Sequence, residues 1–219
     1  MASPLDLLVL LGALLFVGWG LRRNLSRALL FIAPGTLVVD SEDPPDRMQV
    51  PEQLAELARE LERLGFSAIG SRREKPLFAE ATTYYDYANP PQRVFATLFL
   101  SRSGRPHLYY LTATPGNGFV ITAGYRRPSR EIPGVYLAGA LEGFPPERIY
   151  RAHLRRIEQI GSVGEYTRES RLEVAKAWAS GPGRSEIRQQ NFQGLMWTAA
   201  ILVFLAAALI GAAPHVGRR

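Results

Sequence analysis

Nineteen consecutive residues near the carboxyl end, Leu195 to Ala213, carry no charge and no proline. At about 1.5 Å per residue, a helix of that length reaches across a hydrocarbon layer roughly 30 Å thick. The run predicts a transmembrane helix over residues 195–214. A second apolar run, Leu5 to Leu21, predicts another over residues 1–24. Between these anchors the sequence divides into a connector (25–48), a soluble domain (49–161) and a helical connector (162–194). Such a chain reads as a multi-pass protein of the cell membrane.

The first run lacks the mark of a cleaved signal peptide, because its leader Met1-Ala2-Ser3-Pro4 holds no base and is followed by Asp6. Behind it come Trp19, then Arg22, Arg23 and Arg27. An aromatic anchor followed by a positive flank places the amino terminus outside and the domain in the cytoplasm. Arg184 and Arg188 ahead of the second run agree, whereas Arg218 and Arg219 behind it do not.

The net charge of +6 comes almost wholly from arginine, since Lys75 and Lys176 are the only lysines. An excess of this kind points to an interaction surface only where the arginines gather on one face. The absence of cysteine excludes disulfides, thiolate metal sites and cysteine nucleophiles.

Within the domain, Pro51-Glu52-Gln53 opens a helix that Gly65 closes, with Leu54, Leu57, Ala58, Leu61 and Leu64 on one arc. Ser67-Ala68-Ile69 can begin a strand. Strand composition then dominates Phe78 to Tyr87, Arg93 to Ser101, His107 to Thr114 and Phe119 to Tyr125, with Gly134 to Leu141 as a further candidate. The short links between them predict antiparallel neighbours. Pro145-Pro146-Glu147 starts a second amphipathic helix, in which Ile149, Tyr150, His153, Leu154, Ile157 and Ile160 face one way and Arg148, Arg151, Arg155 and Arg156 the other. A third helix is expected near Glu169 to Ala179. The fold class is therefore α+β: an antiparallel sheet of about four to six strands, covered by two amphipathic helices and flanked by two transmembrane helices.

Leu64-Gly65-Phe66, then Thr112, Thr114, Gly118 and Thr122 around a hairpin, then His153 in the later helix, form a spaced pattern over Pro51 to Ile160. In this order of elements the chain resembles uncharacterised bacterial membrane proteins that carry such a domain beside one or two membrane spans. The resemblance implies no catalytic activity.

His107, His153 and His215 are scattered, and none has a neighbour at metal-ligand spacing, so no metal or other cofactor is expected. His153 lies on an apolar arc and is read as a buried structural residue bonded to a backbone or threonine oxygen, alongside Gly65, Gly118 and Thr122. Ser101-Arg102-Ser103-Gly104 and Gly116-Asn117-Gly118 join strand to strand and read as turns, not phosphate loops. The aromatic residues Tyr84, Tyr85, Tyr87, Phe95, Phe99, Tyr109 and Tyr110 fit core positions better than a nucleic-acid stacking platform, and no nucleic acid is expected. The expected function is a non-enzymatic interaction or scaffolding role at the membrane. The basic arc Arg148, Arg151, Arg155 and Arg156 is its candidate surface for anionic lipid headgroups or an acidic partner. The alternative is an enzyme acting on a membrane-associated substrate, with His153 as general base beside Thr112 or Thr122.

Overall fold

The computed structural model describes residues 4–216, which form five α-helices and one eight-stranded sheet. The helices are α1 (Pro4–Ile32), α2 (Glu52–Arg63), α3 (Pro146–Ile160), α4 (Arg168–Ser180) and α5 (Gly183–Val216). The strands are β1 (Val38–Ser41), β2 (Ser67–Lys75), β3 (Thr82–Asn89), β4 (Val94–Leu100), β5 (Pro106–Thr114), β6 (Gly118–Ala123), β7 (Arg130–Ile132) and β8 (Tyr136–Ala140). The chain divides into two compact units, Met1–Leu37 with Pro76–Glu80 and Gly183–Arg219, and Val38–Lys75 with Ala81–Pro182.

In the first unit α1 and α5 pack as an antiparallel pair. A Cβ on Gly20 would lie 2.8 Å from Ile201 Cδ1, and one on Gly194 would collide with Arg27. The Phe31 and Phe192 rings meet at a tilt with centroids 5.8 Å apart, and Arg27 donates a hydrogen bond to the Gln190 carbonyl at 3.2 Å. Glycine at the two crossing points lets the helices approach closely.

The expectation of two membrane spans is met only in part. Among the described residues one helical stretch, Gly183–Ala207, is long and apolar enough to cross a membrane, a test that the core helix of a soluble protein can also pass. A second span is not supported by length and composition. In α1 the uncharged run is only Leu7 to Leu21, between Asp6 and Arg22, or about 22 Å of helix. Arg218, Arg219 and the side chain of His215 lie outside the described residues.

In the second unit the strand order is β1-β2-β3-β4-β5-β6-β8-β7. Every neighbouring pair is antiparallel except β6 and β8, which run parallel. The expected antiparallel sheet of four to six strands is corrected on both counts. After β6 the chain skips one strand position to form β7, turns at Pro133–Val135, and returns as β8 into the gap. The two strands missed in sequence are the edges. β1 has four residues within the supposed connector and β7 three between Pro128 and Pro133, too few to show alternation.

Alternate residues of the central strands face two separate cores. On one side Tyr87, Val94, Ala96, Leu98, Leu108, Tyr110 and Val120 pack under Leu54, Ala58 and Leu61 of α2 and Ile149, Tyr150 and Ile157 of α3. On the other, Phe95, Leu111, Phe119, Ile121 and Tyr136 meet Tyr166 and, from α4, Val174 and Trp178. The cover of two helices is thus one short: α4, assigned to a connector, closes the second face. The α2 end shows the local logic. Gly65 at φ 83° lets its amide donate to the Glu62 carbonyl and that of Phe66 to the Leu61 carbonyl, each at 3.0 Å, which turns buried Phe66 onto the helix it follows.

Candidate functional site

His153 projects from the middle of α3 between two threonines of the β5–β6 hairpin. Thr112 sits opposite Val120 and Tyr110 opposite Thr122, so the two threonines are diagonal neighbours on the face under α3. The imidazole is fully buried, with Nε2 3.0 Å from Thr112 Oγ1 and Nδ1 3.0 Å from Thr122 Oγ1. Thr112 donates its hydroxyl proton to the Arg93 carbonyl at 2.9 Å, so it can only accept from the histidine. Nε2 therefore carries the proton and Nδ1 accepts from Thr122. Thr122 in turn accepts from Arg156 Nη1 at 3.0 Å. The direction of every bond follows from the ends of the chain. Burial, aided by the Arg156 charge, lowers the His153 pKa to about 3, so the ring is neutral at physiological pH.

Gly139 of β8 makes room for this chain. A Cβ there would lie 3.0 Å from Arg156 Nη2. Gly118 answers a similar constraint at the hairpin turn, where a Cβ would strike the Thr114 hydroxyl and approach the Val135 and Gly134 carbonyls to 3.0 and 3.1 Å.

The opposite face holds a buried ionic cluster that the sequence did not reveal. Asp86 Oδ1 accepts from Arg72 Nη1 at 2.5 Å, Thr97 Oγ1 at 2.6 Å and Arg171 Nε at 3.1 Å. Tyr109 Oη accepts from Arg72 Nη2 at 2.7 Å and Arg171 Nη2 at 2.8 Å, and Glu74 takes a further bond from Arg72 at 3.2 Å. Asp86, Arg72 and Arg171 are all buried. Burial opposes the charge on Arg72, but Asp86, Tyr109 and Glu74 outweigh it and raise its pKa above the usual guanidinium range. Two cations facing two carboxylates leave the cluster formally balanced, which offsets part of the cost of holding charge away from water. A cavity of about 10 Å³ adjoins it, lined in part by Arg72, Asp86, Arg168 and Arg171. That volume is of the order of a single water site. The available sequence signal was Asp86, the one acid inside the aromatic run Tyr84 to Tyr87.

The four α3 arginines do not form one free arc. Arg156 turns under the helix to Thr122, and burial lowers its pKa. Arg151 is paired with Glu147, and Arg148 lies over the Phe144 ring at 4.0 Å. Arg155 is exposed. On the α2 side an open polar cleft of about 350 Å³ is lined by Glu42, Asp43, Arg47, Gln49, Thr83 and Tyr85. No group of three or more histidine, cysteine or acidic side chains suited to a metal occurs among the described residues. The aromatic residues considered for stacking are divided between the two sheet faces, with Tyr87, Phe95, Tyr109 and Tyr110 buried. Compared with known protein families, curated proteins and solved structures, the chain matches none.

Proposed function

We propose that the chain is a membrane-anchored, non-enzymatic interaction or scaffolding protein whose α+β domain faces the cytoplasm, with α1 and α5 both lying in the bilayer. The observation that carries this reading is the outward apolar surface of the helix pair: Leu8, Leu11, Leu14, Leu15 and Phe16 on α1, and Met196, Trp197, Leu202, Val203 and Phe204 on α5, are all exposed. A patch of this extent needs a cover, and lipid is the cover that fits a helix pair. Close approach at Gly20 and Gly194 supports it, because small residues are what membrane helices use where they cross. Antiparallel packing also gathers Arg22, Arg23 and Arg27 of α1 and Arg184 and Arg188 of α5 towards one end, as a cytoplasmic flank requires.

The catalytic alternative has little to work with at His153. Both ring nitrogens are engaged, the ring is sealed, and a pKa of about 3 makes a weak base at neutral pH. Arg148, Arg151 and Arg155 remain the surface offered to anionic headgroups or an acidic partner, with Arg156 withdrawn from it.

A chain without cysteine allows a direct test. Ser103→Cys in the β4–β5 turn should react with a membrane-impermeant maleimide only after cells are opened, and the protein should stay in the pellet after alkaline carbonate extraction. Equal labelling of intact and opened cells would reverse the sidedness, and release by carbonate would remove the bilayer from the reading.

A further inference from the structure

The tip of the β2–β3 hairpin is built against the ordinary rules for a soluble loop. Phe78 is 75% exposed and Leu77 43% exposed. Phe78 also holds φ at 58°, a left-handed backbone that bulky side chains rarely adopt and that carries a cost in strain. A water-facing turn would take glycine or asparagine there, as Asn117 does in the β5–β6 turn at φ 60°.

The tip also keeps unusual company. Pro76–Glu80 belongs to the compact unit of α1 and α5, apart from the strands on either side of it. The register explains why. Val38 is paired with Lys75, so the chain beyond Lys75 runs back past Leu37 towards the Pro34–Thr36 turn that closes α1. Ile32, the last residue of α1, is exposed as well.

We propose that Leu77 and Phe78 dip into the interfacial layer of the bilayer beside the helix pair, giving the domain a third point of membrane contact. The partner is lipid and not a protein groove, because the two side chains sit on a narrow tip that belongs with the membrane helices. An aromatic ring beside a leucine, flanked by Lys75 and Glu80, suits a layer that is apolar below and polar above. This inference rests on the membrane reading above.

The test is the depth of a nitroxide in the full chain reconstituted in phospholipid nanodiscs. Single-cysteine variants Phe78→Cys, Leu77→Cys, Ser103→Cys and Val203→Cys are labelled and their collisions with oxygen and with a water-soluble nickel chelate compared. Positions 77 and 78 should share with 203 a preference for oxygen, while 103 should favour nickel. Leu77→Cys keeps the native phenylalanine, so both tip labels need not fail together through loss of the ring. Tip labels that behave like 103 while 203 favours oxygen would overturn the proposal and leave the membrane anchor standing. Nickel preference at 203 as well would overturn both.

Discussion

Between about pH 3 and its ordinary value near 6.5, His153 binds up to one proton fewer in the folded chain than in the unfolded chain. Because the unfolded state holds the extra proton, stability rises with pH across that window and is lost as pH falls through it. The slope from this residue is at most about 1.4 kcal/mol per pH unit. His153→Gln removes the titration, so urea midpoints of the variant between pH 4 and 7 should change less than those of the parent protein. Parallel pH profiles would mean that the imidazole is not sealed. The Asp86 cluster gives a second expectation. Asp86→Asn leaves the buried Arg171 without a carboxylate and Arg72 with Glu74 alone, and should cost about 3–5 kcal/mol, whereas Arg171→Met leaves Asp86 paired with Arg72 and should cost less. Equal midpoints for the two variants would refute the charge balance described for this cluster.

Among the elements, α4 decides what the domain is. Its capping box, Thr167 with Ser170, starts the helix, and Arg171, Ala175 and Ala179 then recur every four residues along its buried stripe. Its fully buried positions are one arginine and two alanines, and Val174 and Trp178 beside them are only partly buried, so the hydrophobic signature is weak: the helix was legible in sequence but its docking was not. α2 and α3 were legible in both respects, because leucine and isoleucine mark their buried arcs. The central strands could be read from aromatic and β-branched composition. The parallel placement of β8 could not, since it depends on which gap a returning strand fills. The Asp86 cluster was illegible because its members come from five different elements. A fragment covering residues 49–161 lacks both β1 and α4 and would expose Phe95, Leu111, Phe119 and Ile121. It should aggregate or bind a hydrophobic dye, whereas residues 38–182 should give dispersed amide NMR signals and one cooperative melting transition. A well-dispersed spectrum from the shorter fragment would show that α4 is dispensable.

For the whole molecule, tethering to a membrane, as proposed, would change which surfaces are dangerous. Chains confined to a membrane plane meet one another far more often than chains free in solution, and an open sheet edge is then a template for end-to-end pairing. Here the two outermost strands are β1 and β7, with four and three residues, and prolines bracket the second. A neighbouring copy arriving at either side finds too short a row of unpaired amides to extend. On the proposed anchoring, the brevity that hid these strands in the sequence would let many copies share one bilayer without zipping their sheets together.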